Sequence, residues 1–319
     1  MLKYILKRIA LMLLTFIIII SICFVLIKAV PIIDGTDKIQ NQIEAAKREA
    51  LGYNKPVIVQ LGIYLKNLFF NLDLGVSWKM DRMANVSDMI ARKLPPTVII
   101  NVYSLIFSIP IGIALGILAA LKKNKWQDHV ISTVVMIFVS VPSFVYAFLL
   151  QYFVAFKWNL FPMQLSSFAD AGNSWFSPVM FKSMVLPVLA LSFGSIAGLT
   201  RFTRAELTES LTSDYMLLAR TKGLTKGQAV IYHALKNAMV PILPSIISSF
   251  VSILSGSLII EGIFGVPGIG SLYITSITSL DYDVFMGCNV FYIFIGLAAS
   301  IVVDLSYGFI DPRIRMGEK

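Results

Sequence analysis

Charge is scarce in this sequence. Of 319 residues only 14% are Asp, Glu, Lys or Arg, against about a quarter in soluble globular domains. Disorder, which needs low hydrophobicity and high charge, is excluded. Cysteine is nearly absent as well. Cys23 and Cys288 are too few for a disulfide scaffold, and both sit in apolar runs, where a thiol reads as a small packing hydrophobe. Two histidines, His129 and His233, leave little material for a zinc centre, so no metal site is expected. The chain has no G-x-x-x-x-G-K-[ST] loop to cradle a nucleotide phosphate, and it has neither H-E-x-x-H nor G-x-S-x-G. Those gaps argue against an intramembrane enzyme, and His129, at the edge of an apolar run, reads as interfacial.

Hydrophobicity is what the chain has in excess: 57% of the side chains are apolar and the mean hydropathy is +0.78. Six stretches, 9–27, 94–121, 129–156, 183–200, 237–260 and 284–303, contain no charged residue. A helix crosses the hydrocarbon core with about 20 apolar residues, because no water is there to satisfy free backbone groups. A membrane strand needs only about 10 residues of alternating pattern. The expected fold is therefore an all-α membrane protein with six transmembrane helices. The first run has the basic start of a secretion signal. It exceeds the roughly 7 to 15 residues of a signal core, and no small-x-small site follows before Pro31, so it is expected to remain as a membrane anchor.

The formal charge of +9, 27 basic minus 18 acidic residues, is informative by its location. Lys and Arg in short loops tend to stay in the cytoplasm. Lys3, Lys7 and Arg8 precede the first run, and Lys122, Lys123 and Lys125 separate the second from the third. Arg201, Arg204, Arg220, Lys222, Lys226 and Lys236 separate the fourth from the fifth, and Arg313, Arg315 and Lys319 follow the sixth. Both termini are expected in the cytoplasm. Residues 31–93, with nine basic against seven acidic side chains, are expected outside. The expected division is an N-terminal transmembrane helix over 1–30, an extracellular loop or cap over 31–93, and a five-helix core over 94–319 with a cytoplasmic loop at 201–237. In the outer segment, Ile39, Ile43, Ala46 and Ala50 predict a helix over 38–51. Leu61, Tyr64, Leu65, Leu68 and Phe69 predict an amphipathic one over 57–72, on the membrane surface or packed on the spans.

The loop 201–237 is too long for a turn. Leu207, Leu211, Tyr215, Leu218 and Ala219 keep helical spacing up to Gly223, a natural helix stop. Thr225 with Gln228 is a capping box for a second helix, whose apolar face is Val230, Ile231, Ala234, Leu235 and Ala238. The prediction is two short helices bent at Gly223-Leu224, with Arg220, Lys222 and Lys226 around the bend. A DNA-binding helix-turn-helix is misplaced between two spans, and a solvated loop needs no matched apolar faces. A docking element for a cytoplasmic partner suits the residues best. On the fifth run Ser245, Ser248, Ser249, Ser252 and Ser255 form one polar stripe. Such a stripe suits a pathway lining and equally a close helix crossing. Tyr146, Gln151 and Tyr152 are further polar candidates on the third run, and the pairs Gly112/Gly116 and Gly194/Gly198 read as packing motifs. Ionisable groups of the kind proton- or sodium-coupled carriers place at mid-depth are missing from all six runs.

Tyr215-Met216-Leu217-Leu218-Ala219-Arg220-Thr221-Lys222-Gly223-Leu224, then His233-Ala234-Leu235-Lys236-Asn237-Ala238 and Pro241, resemble the EAA loop of bacterial ATP-binding cassette (ABC) importer permeases. Leu217-Leu218 stands where that loop usually has Glu-Ala, a variant common in the peptide and nickel group. Glu261 with Phe264-Gly265-Val266-Pro267-Gly268-Ile269-Gly270, and Asp304 with Tyr307 and Asp311-Pro312-Arg313-Ile314-Arg315, are similar to that group's later signatures. Leu51-Gly52, Lys55-Pro56, Tyr64-Leu65 and Asp73-Leu74-Gly75 are similar to its first loop. The resemblance covers nearly the whole chain and comes nearest to the B subunits of oligopeptide permeases. It implies the type I importer fold in the bacterial cell membrane and a pathway for oligopeptides delivered by an extracellular lipid-anchored binding protein. It also implies a sister permease as heterodimer partner and two cytoplasmic ATPase subunits, which bind the ATP and Mg, leaving no cofactor in this chain. Ala219, Arg220, Thr221, Lys222, Gly223 and Leu224 would be the ATPase-coupling residues. Nucleic acid is not an expected partner. A dipeptide or nickel permease of the same group and a non-transporting membrane scaffold are the competing readings.

Overall fold

The computed structural model describes residues 2–29, 49 and 54–310. Apart from residue 49, the helix expected over 38–51 lies outside the described residues, as do Leu51-Gly52 and the 311–315 motif. Among the described residues the regular structure is helical, save for a single bridge between Val76 and Asn85. The helices are α1 (Leu2–Lys28), α2 (Val57–Asn71), α3 (Val86–Leu121), α4 (Trp126–Ser140), α5 (Ser143–Lys157), α6 (Pro178–Leu211), α7 (Asp214–Thr221), α8 (Lys226–Ser255), α9 (Leu258–Ile263), α10 (Ile269–Thr278) and α11 (Tyr282–Ile310). α2, α5 and α8 each contain a stretch of wider π turns.

Five of these helices, α1, α3, α6, α8 and α11, are individually long and apolar enough to cross a bilayer. α4 and α5 pass the same test only together, as a pair bent by 100°, which makes six candidate spans among the described residues where the pair counts as one. The helix expected over 129–156 is thus bent into two pieces. Pro142 has no N–H to donate, and its ring drives the preceding residue out of the helical region; Val141 accordingly sits at φ −89°, ψ 127°. The fifth span also ends early. It stops at Ser255, and α9 begins beyond Gly256 with Ser257 as its cap, the Ser257 Oγ accepting from the Ile260 N–H at 3.4 Å.

The chain forms two compact units, residues 1–95 with 267–298 and residues 96–266 with 299–319. In the first unit, Phe16, Ile20 and Phe24 of α1 are buried with Leu68 of α2 and with Met286 and Val290 of α11. The amphipathic segment expected over 57–72 is therefore a helix packed on spans. A second cluster joins Val86, Met89 and Ile90 of α3 to Ile269, Leu272, Val284 and Cys288. Asp281, fully buried, organises the same unit. Its Oδ2 accepts from the Ser77 hydroxyl at 2.6 Å and from the backbone N–H groups of Trp78, Lys79 and Met80 at 3.0, 2.9 and 3.1 Å.

In the second unit, α3 and α6 cross through small residues. Ser104 and Ser192 hydroxyls lie 3.0 Å apart, and Thr200 Oγ1 donates to the Gly112 carbonyl at 3.2 Å. A Cβ on Gly116 would stand 2.5 Å from Thr203 Cβ and 2.9 Å from the Thr200 carbonyl oxygen. Only glycine permits that approach. Between membrane helices, where lipid is as apolar as leucine, close packing and hydrogen bonds replace the hydrophobic drive. The second glycine pair behaves differently: among the described residues Gly194 meets only the Tyr146 hydroxyl, and nothing lies within 4 Å of a Cβ on Gly198. α6 itself starts at Pro178, after Ser177, whose Oγ accepts from the Met180 N–H at 3.2 Å.

Candidate functional site

The segment after α6 folds as an elbow. The expected helix from Leu207 to Gly223 is broken in two: α6 ends at Leu211, Ser213 is extended at φ −79°, ψ 156°, and α7 occupies Asp214–Thr221. Hydroxyls at the break compete for the last carbonyls. Ser213 Oγ donates to the Ser210 carbonyl at 2.6 Å, Thr212 Oγ1 to that of Glu209 at 3.0 Å, and Tyr215 Oη to Ser210 Oγ at 2.7 Å. The far end of α7 is a Schellman cap. Gly223 takes φ +88°, its N–H donates to the Arg220 carbonyl at 3.0 Å, and the Leu224 N–H reaches that of Ala219 at 3.3 Å. The Thr225–Gln228 capping box follows as predicted. The helix it starts is not short, however, since it runs on as the 30-residue α8.

Burial sorts the elbow residues. Met216 and Ala219 pack with Ala120, Leu207, Ala229, Val230, Ala234 and Ala238, so Ala219 faces inward and Leu224 is half-buried. Arg220, Thr221, Lys222 and Gly223 are exposed. Leu217 and Leu218 are 67% and 55% exposed; they are the two residues at which the resemblance departs from its usual form. Exposed leucines on a short helix mark a surface awaiting a partner. Tyr215, Leu218 and Lys222, at i, i+3 and i+7, make one exposed stripe.

Arg204, legible in the sequence only as a topological charge, is the half-buried partner of the buried Asp128 in an ion pair. Its Nε and Nη2 donate to Asp128 Oδ1 and Oδ2 at 2.5 and 2.8 Å. Asp128, 2% exposed, also accepts from the Asn124 N–H at 2.9 Å and the Ser132 hydroxyl at 3.3 Å. The fork geometry fixes distance and orientation together, fastening the start of α4 to α6 two turns before the elbow.

A cavity of about 540 Å³ lies in the second unit. Ser245, Ser248, Ser249 and Ser252 of α8 form one wall, facing Asn101 and Ser104 of α3 and Ser195 of α6, and among the described residues no charged side chain lines it. Ser249 and Ser252 hydroxyls donate to the carbonyls of Ser245 and Ser248 at 3.1 and 2.9 Å. They are satisfied within their own helix and cross-link no neighbour. Ser255 is not on this wall. Tyr146 and Gln151 stand elsewhere too. Tyr146 is buried between Phe138 and Phe193, with ring centroids at 5.8 and 5.6 Å, and Gln151 Nε2 donates to the carbonyls of Met163 and Ile263 at 3.0 and 2.9 Å. Tyr152 is exposed against Phe156. Behind Gly256, at the edge of the cavity, lies Glu261, 4% exposed, which accepts from Thr97 Oγ1 at 2.8 Å. A side chain at Gly256 would collide with that carboxylate. Among the described residues no three His, Cys, Asp or Glu side chains gather as metal ligands.

Five apolar spans and one bent apolar pair among the described residues, with a basic elbow, define a multi-pass helical membrane protein. The chain belongs to the family of binding-protein-dependent transport system inner membrane components, whose pattern matches residues 112–316. It is 34% identical over 322 residues, the whole of both chains, to a dipeptide transport system permease protein of Bacillus subtilis. To an oligopeptide transport system permease protein of Escherichia coli K12 it is 32% identical over 317 residues, 99% of this chain and all of the other. The fold is similar to that of an amino acid ABC transporter (TM-score 0.53, 20% identity, 70% of this chain and 94% of that one). It is also similar to a methionine ABC transporter in inward-facing conformations (TM-score 0.50, 16% identity, 69% and 97%). The chain is accordingly a non-catalytic permease subunit of an ABC importer in the bacterial cytoplasmic membrane, working with ATPase and binding-protein partners.

Proposed function

We propose that this chain forms one half of the translocation pathway of a peptide importer, with the serine-walled cavity as its passage. The cavity carries the reading. A neutral surface of hydroxyls and one amide hydrogen-bonds a peptide backbone whatever its side chains, and it holds no charge that would trap the cargo. A divalent nickel ion would need imidazole, thiolate or carboxylate ligands, and the wall offers none. The dipeptide and oligopeptide relatives, matched end to end, support the same cargo class.

The remaining parts follow from what this chain lacks. A sister permease supplies the opposite wall as a heterodimer. An external lipid-anchored binding protein recognises and delivers the peptide. Two ATPase subunits, which hold the ATP and Mg, dock on the elbows through Tyr215, Leu218, Lys222 and the Gly223 tip. The basic loops set the elbow and both termini in the cytoplasm. Closure of the ATPases moves α7; the Met216–Ala219 cluster passes that motion to α6, and the Arg204–Asp128 pair passes it to α4, so the cavity switches from outward- to inward-facing.

Ser248→Leu tests the passage. In proteoliposomes holding the intact complex, ATP-dependent uptake of labelled peptides should fall at least about tenfold while ATPase subunits remain bound. Uptake equal to the parent's would remove the cavity from the pathway.

A further inference from the structure

A second cavity, of about 520 Å³, lies beside the elbow within the second unit. Three cations reach it from three elements: Lys123 from the turn between α3 and α4, Arg220 from α7 and Lys226 from the start of α8. Asp214 is the one acidic residue on its wall among the described residues. None of the three basic side chains makes an ion pair or hydrogen bond among the described residues. The wall also holds Thr208.

We propose that this cavity binds the phosphate head group of an anionic phospholipid. Cations alone would suit any phosphate. The remaining wall is apolar, with Leu121, Leu211, Leu217 and Val230, so the ligand has a hydrophobic part as well as a charged one. Trp126, 70% exposed, starts α4 three residues after Lys123, and exposed tryptophan beside lysine is the pattern of the membrane interface. Basic pockets between membrane helices at the cytoplasmic side hold anionic lipid head groups, each cation contributing roughly a fivefold gain in binding. The inference rests on the orientation proposed above, with the elbow on the inner side.

Occupancy leaves part of the exposed face of α7 outside the cavity. The cavity uses Asp214, Leu217 and Arg220 of α7, spaced i, i+3 and i+6, whereas the free stripe is Tyr215, Leu218 and Lys222. The lipid seats the elbow from behind while the partner engages its outer face. Inner-leaflet composition then becomes part of the coupling machinery.

The test uses the purified complex, with its ATPase subunits, titrated with dihexanoyl phosphatidylglycerol, dihexanoyl phosphatidylcholine or inorganic phosphate and read by native mass spectrometry. The parent should retain phosphatidylglycerol at least about tenfold better than phosphatidylcholine. The double variant Lys123→Gln with Lys226→Gln should bind it about 25-fold more weakly, two roughly fivefold steps, and Lys123→Arg with Lys226→Arg should restore binding in an equally assembled complex. Overturning results are equal binding by the parent and the Gln double variant, inorganic phosphate displacing the lipid at equal concentration, or lipid binding only after the ATPases are stripped. The last would mean that an ATPase segment fills the cavity. Peptide uptake is measured on the same preparation: lipid retention without uptake would refute the transport reading and leave this site standing.

Discussion

Replacing Gly223 by valine perturbs the elbow through backbone conformation alone. Gly223 sits at φ +88°, and among the described residues no atom lies within 4 Å of the place a Cβ would take, so added bulk meets none of them. What changes is the Schellman cap, which needs a left-handed residue. That conformation costs an L-residue about 1–2 kcal/mol, and a β-branched one is the least tolerant. With RT near 0.59 kcal/mol, the equilibrium between capped and frayed elbow shifts by roughly 5- to 30-fold. Apparent affinity for the ATPase falls by that full factor where the cap is marginal in the free elbow. Asparagine, which accepts the left-handed region, is the control. The assay is capture of the ATPase subunits by the reconstituted permease, followed by ATP-dependent peptide uptake. Gly223→Asn should stay within about twofold of the parent, and Gly223→Val should lose between five- and thirtyfold. Equal losses in both variants would refute the backbone argument and assign the effect to bulk at the partner surface; no loss in either would remove Gly223 from the coupling path.

Gly116→Leu should lower the thermal midpoint of the detergent-purified chain, because overpacking against Thr203 costs about 1–3 kcal/mol or more. Gly198→Leu, facing open space, should leave it unchanged, and an equal drop in both would undo the packing assignment. Asp128→Asn should cost about 3 kcal/mol, near the low end for breaking a buried pair, because the Arg204 side chain is 33% exposed. The exchanged pair, Asp128→Arg with Arg204→Asp, should recover part of that loss in the same thermal assay; strictly additive losses would show that the two residues do not act together.

The spans were legible because charge-free length is a local property that the bilayer enforces directly. So were the Gly223 stop and the Thr225 capping box, each written in a few adjacent residues. The break at Thr212-Ser213 was hidden because the leucine spacing of one helix continues in register into the next. The bend at Val141-Pro142 had a visible signal, a proline inside an apolar run, which run length alone passes over. Two G-x-x-x-G pairs look identical in sequence, yet Gly116 meets α6 and Gly198 meets nothing among the described residues. The Arg204–Asp128 pair, 76 residues apart, has no local signature. Tyr146 and Gln151 were polar candidates by residue type, and only the fold shows the one held in an aromatic cluster and the other tying two carbonyls.

ATP-dependent uptake into proteoliposomes containing this chain and its co-purified partners, with labelled dipeptide, labelled oligopeptide and labelled nickel in parallel, tests the central claim most directly. Accumulation of peptide without nickel is the predicted result. Accumulation of nickel alone, or of no cargo by a stably assembled complex, would contradict it.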